Sequence, residues 1–437
     1  MSNDPGSSFT RRDFLKASST AALASAVASP FILGSRARGA ASPGDTLKVG
    51  LVGCGGRGTG AAAQALGADA NVQLVAMGDV FPNAIQNSLS ALKTQVKEEK
   101  LKVTPDTMFS GLDAYRKVID SGVDVVLLAS PPGFRPVHFE YAVNAGKHIF
   151  TEKPMATDAV GVRSIMKSVE IAKQKNIAVV AGFCWRYDYA RRAFYEQVHQ
   201  GTLGDVRAIY ATYLTSPVKP MPPADKRPAG MGDIEWQVRN WYNFVYLSGD
   251  GLVEQAIHSI DKIAWTMHDT PPLKCTAVGG RAAPSEGGNI YDHIEVNYEW
   301  QNGVRAFMAQ RQIGGACYGE NNDYVMGSKG YGYINSRGIY ITGENRWRYE
   351  GPKNDMYQTE HDEFFASIRN GKPINNGDRM ALSTLMGIMG RMAAYTGAEV
   401  TWDMMLNSQE RLVPEQIALD MAFQPPPRAI PGKTRFV

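Results

Sequence analysis

Hydrophobic positions along the chain show two textures. Between Leu47 and about Arg186, short apolar runs alternate with stretches of helical spacing. LKVGLV (Leu47–Val52), VQLVAMGD (Val72–Asp79), VDVVLLASPP (Val123–Pro132), the run from Lys147 to Thr151 and IAVVAGFCWR read as buried strands of a parallel sheet. The segments between them, such as DAVGVRSIMKSVEIAKQKN behind Asp158, read as helices. Strands alternating with helices predict a doubly wound parallel sheet. After Arg186 the period changes. AVGGRA, HIEVNYEW, RAFMAQRQ, YGYINS and GIYITG alternate over short lengths between glycine turns, which predicts a largely antiparallel open sheet. The fold class expected is therefore α/β, an N-terminal Rossmann domain plus a C-terminal α/β domain. The expected boundaries are a leader over 1–41, a first domain over 45–185 and a second domain over 186–437. EHDEFFASIRNGKP and RMALSTLMGIMGRMAAYTG read as C-terminal helices that can pack back on the first domain. TSPVKPMPPADKRPAG is a proline-rich loop, either a lid over a site or plain surface.

The first turn carries chemistry. Gly53-Cys54-Gly55-Gly56-Arg57-Gly58 is G-x-G-x-x-G, placed directly after a strand and opening a helix. Gly53 permits the tight turn, Gly55 lets the backbone approach a pyrophosphate, and Gly58 lets helix and strand pack closely. The helix N-terminus offers free N–H groups to phosphates. Asp79 ends the next strand, where a carboxylate can bind ribose hydroxyls and repel a 2′-phosphate. That favours NAD over NADP. Arg57 complicates the preference, because a guanidinium there can take a phosphate.

Two further stretches can do acid–base work. Glu152-Lys153-Pro154 lies at the carboxyl end of a predicted strand, where ligands bind in open α/β sheets. Lys153 there can hydrogen-bond a substrate hydroxyl; as a lone lysine it also fits a surface turn. In GDGLVEQAIHSIDKIAW, Glu254, His258 and Asp261 fall at i, i+4 and i+7, on one helical face. A Glu–His pair one turn apart can fix the imidazole tautomer and raise its pKa, which suits a general base. The same spacing fits a surface salt bridge.

Composition excludes more than it assigns. The chain has 437 residues, too many for one ordinary core. The formal net charge of +3 is modest, and no basic stripe points to nucleic acid. Cys54, Cys184, Cys275 and Cys317 show no metal-ligand spacing.

Taken in order, the glycine loop with its acid, SPP followed by His138, GKHIFTEKP, GFCWRY, the His258-x-x-Asp261 pair and MGSKG resemble the Gfo/Idh/MocA oxidoreductases, the glucose–fructose oxidoreductase and inositol dehydrogenase relatives. The resemblance runs over essentially the whole chain behind the leader. It implies that Lys153 and His258 are catalytic, with Glu254 standing where the family often has Asp. It implies NAD as cofactor, with Ser130, Pro131, His138, Glu152 and Lys153 joining the glycine loop and Asp79 around it. It implies a second-domain sheet that forms a homodimer or homotetramer interface. Arg186 and Tyr187, after a strand near the cleft, and Tyr242, whose ring can stack on a sugar face, are candidate substrate contacts together with Asp261. Tyr242 fits an aromatic core equally.

The N-terminus supplies an address. TRRDFLK (Thr10–Lys16) precedes a weakly apolar run from Ala21 to Gly34, and it resembles a twin-arginine signal. Export through that machinery carries folded proteins to the periplasm or beyond. Free nicotinamide cofactor is scarce there, so the enzyme is expected to leave already holding NAD. Three activities fit: hydride transfer at a sugar or polyol hydroxyl, glycoside cleavage through a transient keto-sugar, and non-catalytic binding of NAD or sugar.

Overall fold

The computed structural model describes Thr10, residues 44–283 and residues 287–437. The paired arginines and the apolar run behind them lie outside the described residues.

The first half forms a six-stranded sheet. Its strands are β1 (Leu47–Val52), β2 (Val72–Asp79), β3 (Met108–Ser110), β4 (Val125–Leu128), β5 (His148–Thr151) and β6 (Val179–Ala181). They are all parallel, in the order β3-β2-β1-β4-β5-β6. That is the Rossmann order, and its strand ends form a crevice where the order reverses between β1 and β4. Helices α1 (Gly56–Ala68), α2 (Pro82–Lys93), α3 (Ala114–Asp120), α4 (Arg135–Asn144) and α5 (Ala159–Gln174) cover the two faces. Asp158 caps α5 as expected, accepting from the Gly161 N–H at 2.7 Å.

After α6 (Tyr189–His199) comes a nine-stranded sheet. Its strands are β7 (Val206–Thr215), β8 (Lys274–Gly280), β9 (His293–Glu299), β10 (Arg305–Gln312), β11 (Asp323–Gly327), β12 (Gly330–Asn335), β13 (Gly338–Gly343), β14 (Trp347–Arg348) and β15 (Val400–Thr401). The order is β14-β13-β12-β11-β7-β10-β9-β8-β15, and β7 with β10 is its one parallel pair. Helices α7 (Asp233–Arg239), α8 (Val245–Ser248), α9 (Gly251–Glu254) and α10 (Ile257–Thr266) fall between β7 and β8. The fold is thus the expected α/β pair of sheets.

Two late helices bridge the halves. On α11 (Met356–Arg369), Arg369 pairs with Asp69 beyond α1 at 2.9 Å. Helix α12 (Gly377–Thr396) is buried along nearly its whole length. Thr384 accepts from the Met155 N–H, and Ser383 donates to Asp261, so one helix touches both halves. Helix α13 (Trp402–Asn407) and an extended tail follow. Among the described residues, no helix is long and apolar enough to cross a membrane.

Candidate active site

The glycine loop leaves β1 as the sequence predicts. Gly53 has φ +94°, and a Cβ there would lie 2.6 Å from the Ala129 and Ser130 backbone, so only glycine fits. At Gly55 and Gly56 a Cβ would meet nothing within 4 Å, because both border a cavity of about 670 Å3. The ends of β1, β2 and β4 wall that cavity with Asp79, Phe81, Asn83, Ser130, Pro131 and His138. Asp79 is fixed by its own loop: one oxygen accepts from the Cys54 N–H at 2.7 Å, the other from the Phe81 N–H at 2.9 Å. Ser130 Oγ lies 3.0 Å from His138 Nδ1, and Tyr115 stacks on the ring at 4.1 Å. Burial, with Arg135 and Arg116 nearby, pushes His138 down to about 3, so the ring is neutral. A bare backbone facing open space beside a carboxylate at the end of β2 is the donor set a dinucleotide needs.

Arg57 turns away from the ribose position. Its guanidinium pairs with Glu152 at 2.5 Å and with Glu360 of α11 at 3.2 Å. The expectation that it takes up a phosphate is therefore corrected: the Glu152 and Glu360 side chains already hold it. Glu152, expected at the cofactor, is the partner that turns it.

Lys153 ends β5 through a cis Lys153–Pro154 bond, with its ammonium buried. Its Nζ donates to the Glu254 carbonyl at 2.5 Å and to Glu254 Oε1 at 3.0 Å. The other carboxylate oxygen accepts from Gln255 at 2.7 Å, and Gln255 accepts from the Tyr213 hydroxyl at 2.8 Å. A charge-assisted chain thus crosses from the first sheet to the second.

The expected Glu254–His258 pair does not form. The helix is broken after Glu254: the Ala256 N–H reaches back five residues to Gly251, and the His258 N–H reaches back three to the Gln255 carbonyl. That wide turn rotates His258 away from the i+4 position. The carboxylate goes to Lys153, and Nδ1 of His258 is buried without a partner. The expected upward pKa shift is corrected too. Burial first, then the charges of Lys153 and Lys262, hold the ring well below its usual range. Trp185 packs against it at 5.3 Å and carries the Lys262 ammonium on its face at 3.9 Å.

The four proposed substrate contacts are spent inside the protein. Arg186 is 4 % exposed and forks onto Asp261 at 2.8 and 2.9 Å, with Asp269 at 2.6 Å. Asp261, 1 % exposed, also accepts from Ser383. The Tyr187 hydroxyl accepts from Asn376 at 2.9 Å, and the Tyr242 hydroxyl donates to Gln312 at 2.8 Å. A polar tip with an internal partner in a dry core is not free for a ligand. Reading residue by residue missed Arg135, which donates to both the Ser130 and Pro154 carbonyls and so pins the ends of β4 and β5 together. It also missed Glu360 and Tyr213, whose partners lie far away in sequence, and Gln255, which links Tyr213 to its neighbour Glu254.

Residues 47–183 match the Gfo/Idh/MocA model, described as an oxidoreductase family with an NAD-binding Rossmann fold. Over those residues the chain carries the NAD-binding Rossmann fold of that oxidoreductase family. An inositol 2-dehydrogenase of Rhizobium meliloti (strain 1021) is 26 % identical over 329 residues, covering 74 % of this chain and 86 % of that protein. Glycosyl hydrolase family 109 protein 2 of Shewanella sp. (strain ANA-3) is 27 % identical over 221 residues, 48 % of this chain and 46 % of that protein. The fold is similar to levoglucosan dehydrogenase in complex with NADH and levoglucosan. That likeness has a TM-score of 0.65 at 18 % identity and covers 82 % of this chain and 99 % of the other. Aldose-aldose oxidoreductase from Caulobacter crescentus shares it at TM-score 0.63 and 18 % identity, over 82 % and 99 % of the two chains.

Proposed function

We propose that this Gfo/Idh/MocA-type enzyme transfers hydride at a hydroxyl-bearing carbon of a sugar, sugar derivative or polyol, using a tightly held NAD. The observation that carries the reading is the buried Lys153 ammonium, set by Glu254 at the carboxyl end of β5 beside a neutral His258. Bound NAD supplies the hydride acceptor. His258 Nε2 takes the hydroxyl proton as the carbon gives up its hydride. The Lys153 ammonium stabilises negative charge building on the same oxygen. Glu254 keeps the ammonium in place, and Gln255 and Tyr213 keep Glu254 in place. The inositol dehydrogenase relative supports the substrate class.

The glycosyl hydrolase relative supports a second reading. Oxidation of a ring hydroxyl acidifies the neighbouring C–H, a leaving group is expelled, and the hydride returns to the same molecule. The net reaction is then cleavage without redox change.

Export of the folded, NAD-loaded protein by the twin-arginine route to the periplasm belongs to this reading, on the strength of Arg11, Arg12 and the apolar run. So does self-association through the second sheet. Tyr340, Tyr333, Tyr324, Tyr210 and Phe307 stand in register across its outer face, the four tyrosines in ring contact from one strand to the next. An aromatic row of that kind suits a partner surface.

The test is a single-turnover assay on protein recovered folded from the cell envelope. A panel of polyols, sugars and aryl glycosides is added, and nucleotide redox state and sugar products are read by mass. A keto-sugar with NADH supports the first reading, and aglycone release with NAD unchanged supports the second. No turnover of any member sinks both.

A further inference from the structure

Part of the dinucleotide groove is walled by the other half of the chain. Lys219 of the proline-rich loop, Arg239 of α7, Trp241 and the tail residues Val413 and Ile417 line the same cavity as the glycine loop and Asp79. The two halves meet tightly here. A Cβ on Gly133, at the rim beyond β4, would lie 2.3 Å from the Tyr246 carbonyl and 3.2 Å from Val413 Cγ2. Val80, Phe81 and Phe134 of the first half pack into one apolar cluster with Val238, Tyr246, Val413 and Ile417. The Arg239 guanidinium lies 3.8 Å above the Phe81 ring, kept there by Glu235 at 2.8 Å. Lys219 is drawn in beside it, donating to the Arg239 carbonyl at 2.5 Å.

The tail is tied down on both sides of the groove. Before it, the Leu412 N–H donates to Asp158, the cap of α5, at 2.9 Å. Beyond it, the Phe423 N–H donates to Asp233 at 3.1 Å, and Gln237 donates to the Phe423 carbonyl at 2.8 Å. A Cβ on Gly232 would come within 2.4 Å of the Leu419 carbonyl, so the chain lies flush on the start of α7. Between these anchors, Val413, Pro414 and Ile417 line the groove with apolar side chains, and Glu415 lines it beside them.

These walls adjoin Phe81, two residues beyond Asp79, at the end of the groove where a carboxylate binds adenosine ribose. We propose that the adenosine half of the cofactor is bound across the two halves of the chain, and that NAD leaves only when residues 413–417 lift from the groove. Trp241, Val413 and Ile417 give the nucleotide its apolar outer wall, and Lys219 gives it a cation in reach. The proposal rests on the reading of a tightly held NAD and supplies its physical cause. The tail is then a strap that turns an open Rossmann groove into an enclosed one.

Hydrogen–deuterium exchange on the full chain, with and without NADH, reads the strap directly. Peptides covering 411–419 are expected to become protected when NADH binds. The NADH dissociation rate, followed by trapping with excess NAD, is expected to rise roughly tenfold in Trp241→Ala and in Val413→Ala/Ile417→Ala, as buried apolar contacts of that size imply. Should a variant fail to fold, the exchange experiment on the wild type still decides. A wild type that keeps its NADH while tail exchange and variant rates stay unmoved overturns the strap and leaves the tightly held cofactor standing. A wild type that releases NADH as soon as it is diluted overturns both.

Discussion

Lys153 leaves the end of the first sheet and meets Glu254 in the second half of the chain, Nζ to Oε1 at 3.0 Å and Nζ to the carbonyl at 2.5 Å. The two residues are separated by 101 positions, and each is less than a tenth exposed. A buried ammonium needs such partners, since an unpaired charge in a dry site costs several kcal/mol. The contact also ties the cofactor-binding half to the half that carries His258.

The first expectation follows from that contact. On the proposed mechanism, Lys153→Ala removes the cation beside the reacting oxygen and should lower kcat by roughly 10²–10⁴-fold, the usual range for a positioned acid or base. NADH affinity changes little, because the glycine loop and Asp79 are untouched. Lys153→Arg does not restore the rate, since a planar fork cannot replace a point charge seated on one carbonyl and one carboxylate. Steady-state kinetics with titration of NADH fluorescence separates the effects. Near wild-type turnover in Lys153→Ala would remove the lysine from the mechanism.

Three histidines set the acid side of stability. His138 is pushed down to about 3, and His258 and His361 are held well below the usual 6.5, in each case first by burial. Native rings held neutral bind fewer protons than the unfolded chain once the pH falls below 6.5. Stability is therefore whole above pH 6.5 and falls as the pH drops, by about 1.4 kcal/mol per pH unit for each ring. For His138 the fall continues to about pH 3. Urea unfolding between pH 7.5 and 5 should show uptake of more than one proton. A flat profile would mean that these rings are already charged in the native state.

Arg186 and Asp261 separate a structural role from a substrate role. Asp261→Ala takes one of two carboxylates from a buried guanidinium, leaving Asp269, and should cost roughly 2–3 kcal/mol of stability. KM for any accepted sugar should stay within about twofold in the fraction that folds, because neither side chain is free to meet a ligand. Chemical denaturation and initial rates on the same preparation check both. A large KM change with little loss of stability would return Asp261 to the substrate site.

The residues that could be read in sequence order were those whose function is local. Gly53 to Gly58 and Asp79 are bound by strand, turn and helix geometry within one β-α-β unit. Lys153 was visible because Pro154 and the strand before it mark a strand end. The second half was legible as a sheet because alternation is a property of single strands. What could not be read was which polar tips meet. Glu254, His258 and Asp261 share a face only if every step is 100°, and the wide turn at Ala256 breaks that step. Arg186 looks like a cleft residue until Asp269 is brought to it from 83 positions away. Val413 and Ile417 carry no motif, and only the folded tail sets them over the groove.

Cofactor choice turns on Asp79 and not on Arg57. The carboxylate is fixed by two backbone N–H groups and faces the cavity, whereas the guanidinium is bound to Glu152 and Glu360. Asp79→Ser should weaken NAD and relieve repulsion of a 2′-phosphate, moving the NAD/NADP preference by about tenfold or more. Arg57→Met should leave that preference in place while lowering stability. Competitive binding of the two nucleotides gives the ratio, and a shift in Arg57→Met with none in Asp79→Ser would reverse the assignment.

Glu360 shows how the same cluster can be tested from its far side. One oxygen meets Arg57 at 3.2 Å, and the other is buried without a partner. Burial, and then the charge of Glu152, holds this carboxyl well above its usual 4.5. The native state therefore keeps a proton that the unfolded chain gives up, and the site loses stability as the pH rises from 4.5 through the native value. An amide has the shape of that protonated carboxyl and no charge to desolvate. Glu360→Gln should match the wild type near pH 4.5 and exceed it by about 1 kcal/mol or more at pH 8. Glu360→Ala should be less stable at both, by roughly 2–3 kcal/mol, since it opens a cavity and takes an acceptor from Arg57. Thermal and urea unfolding at the two pH values decide the matter. If Glu360→Gln is the weaker protein at pH 8, the carboxylate is ionised and Arg57 depends on its charge.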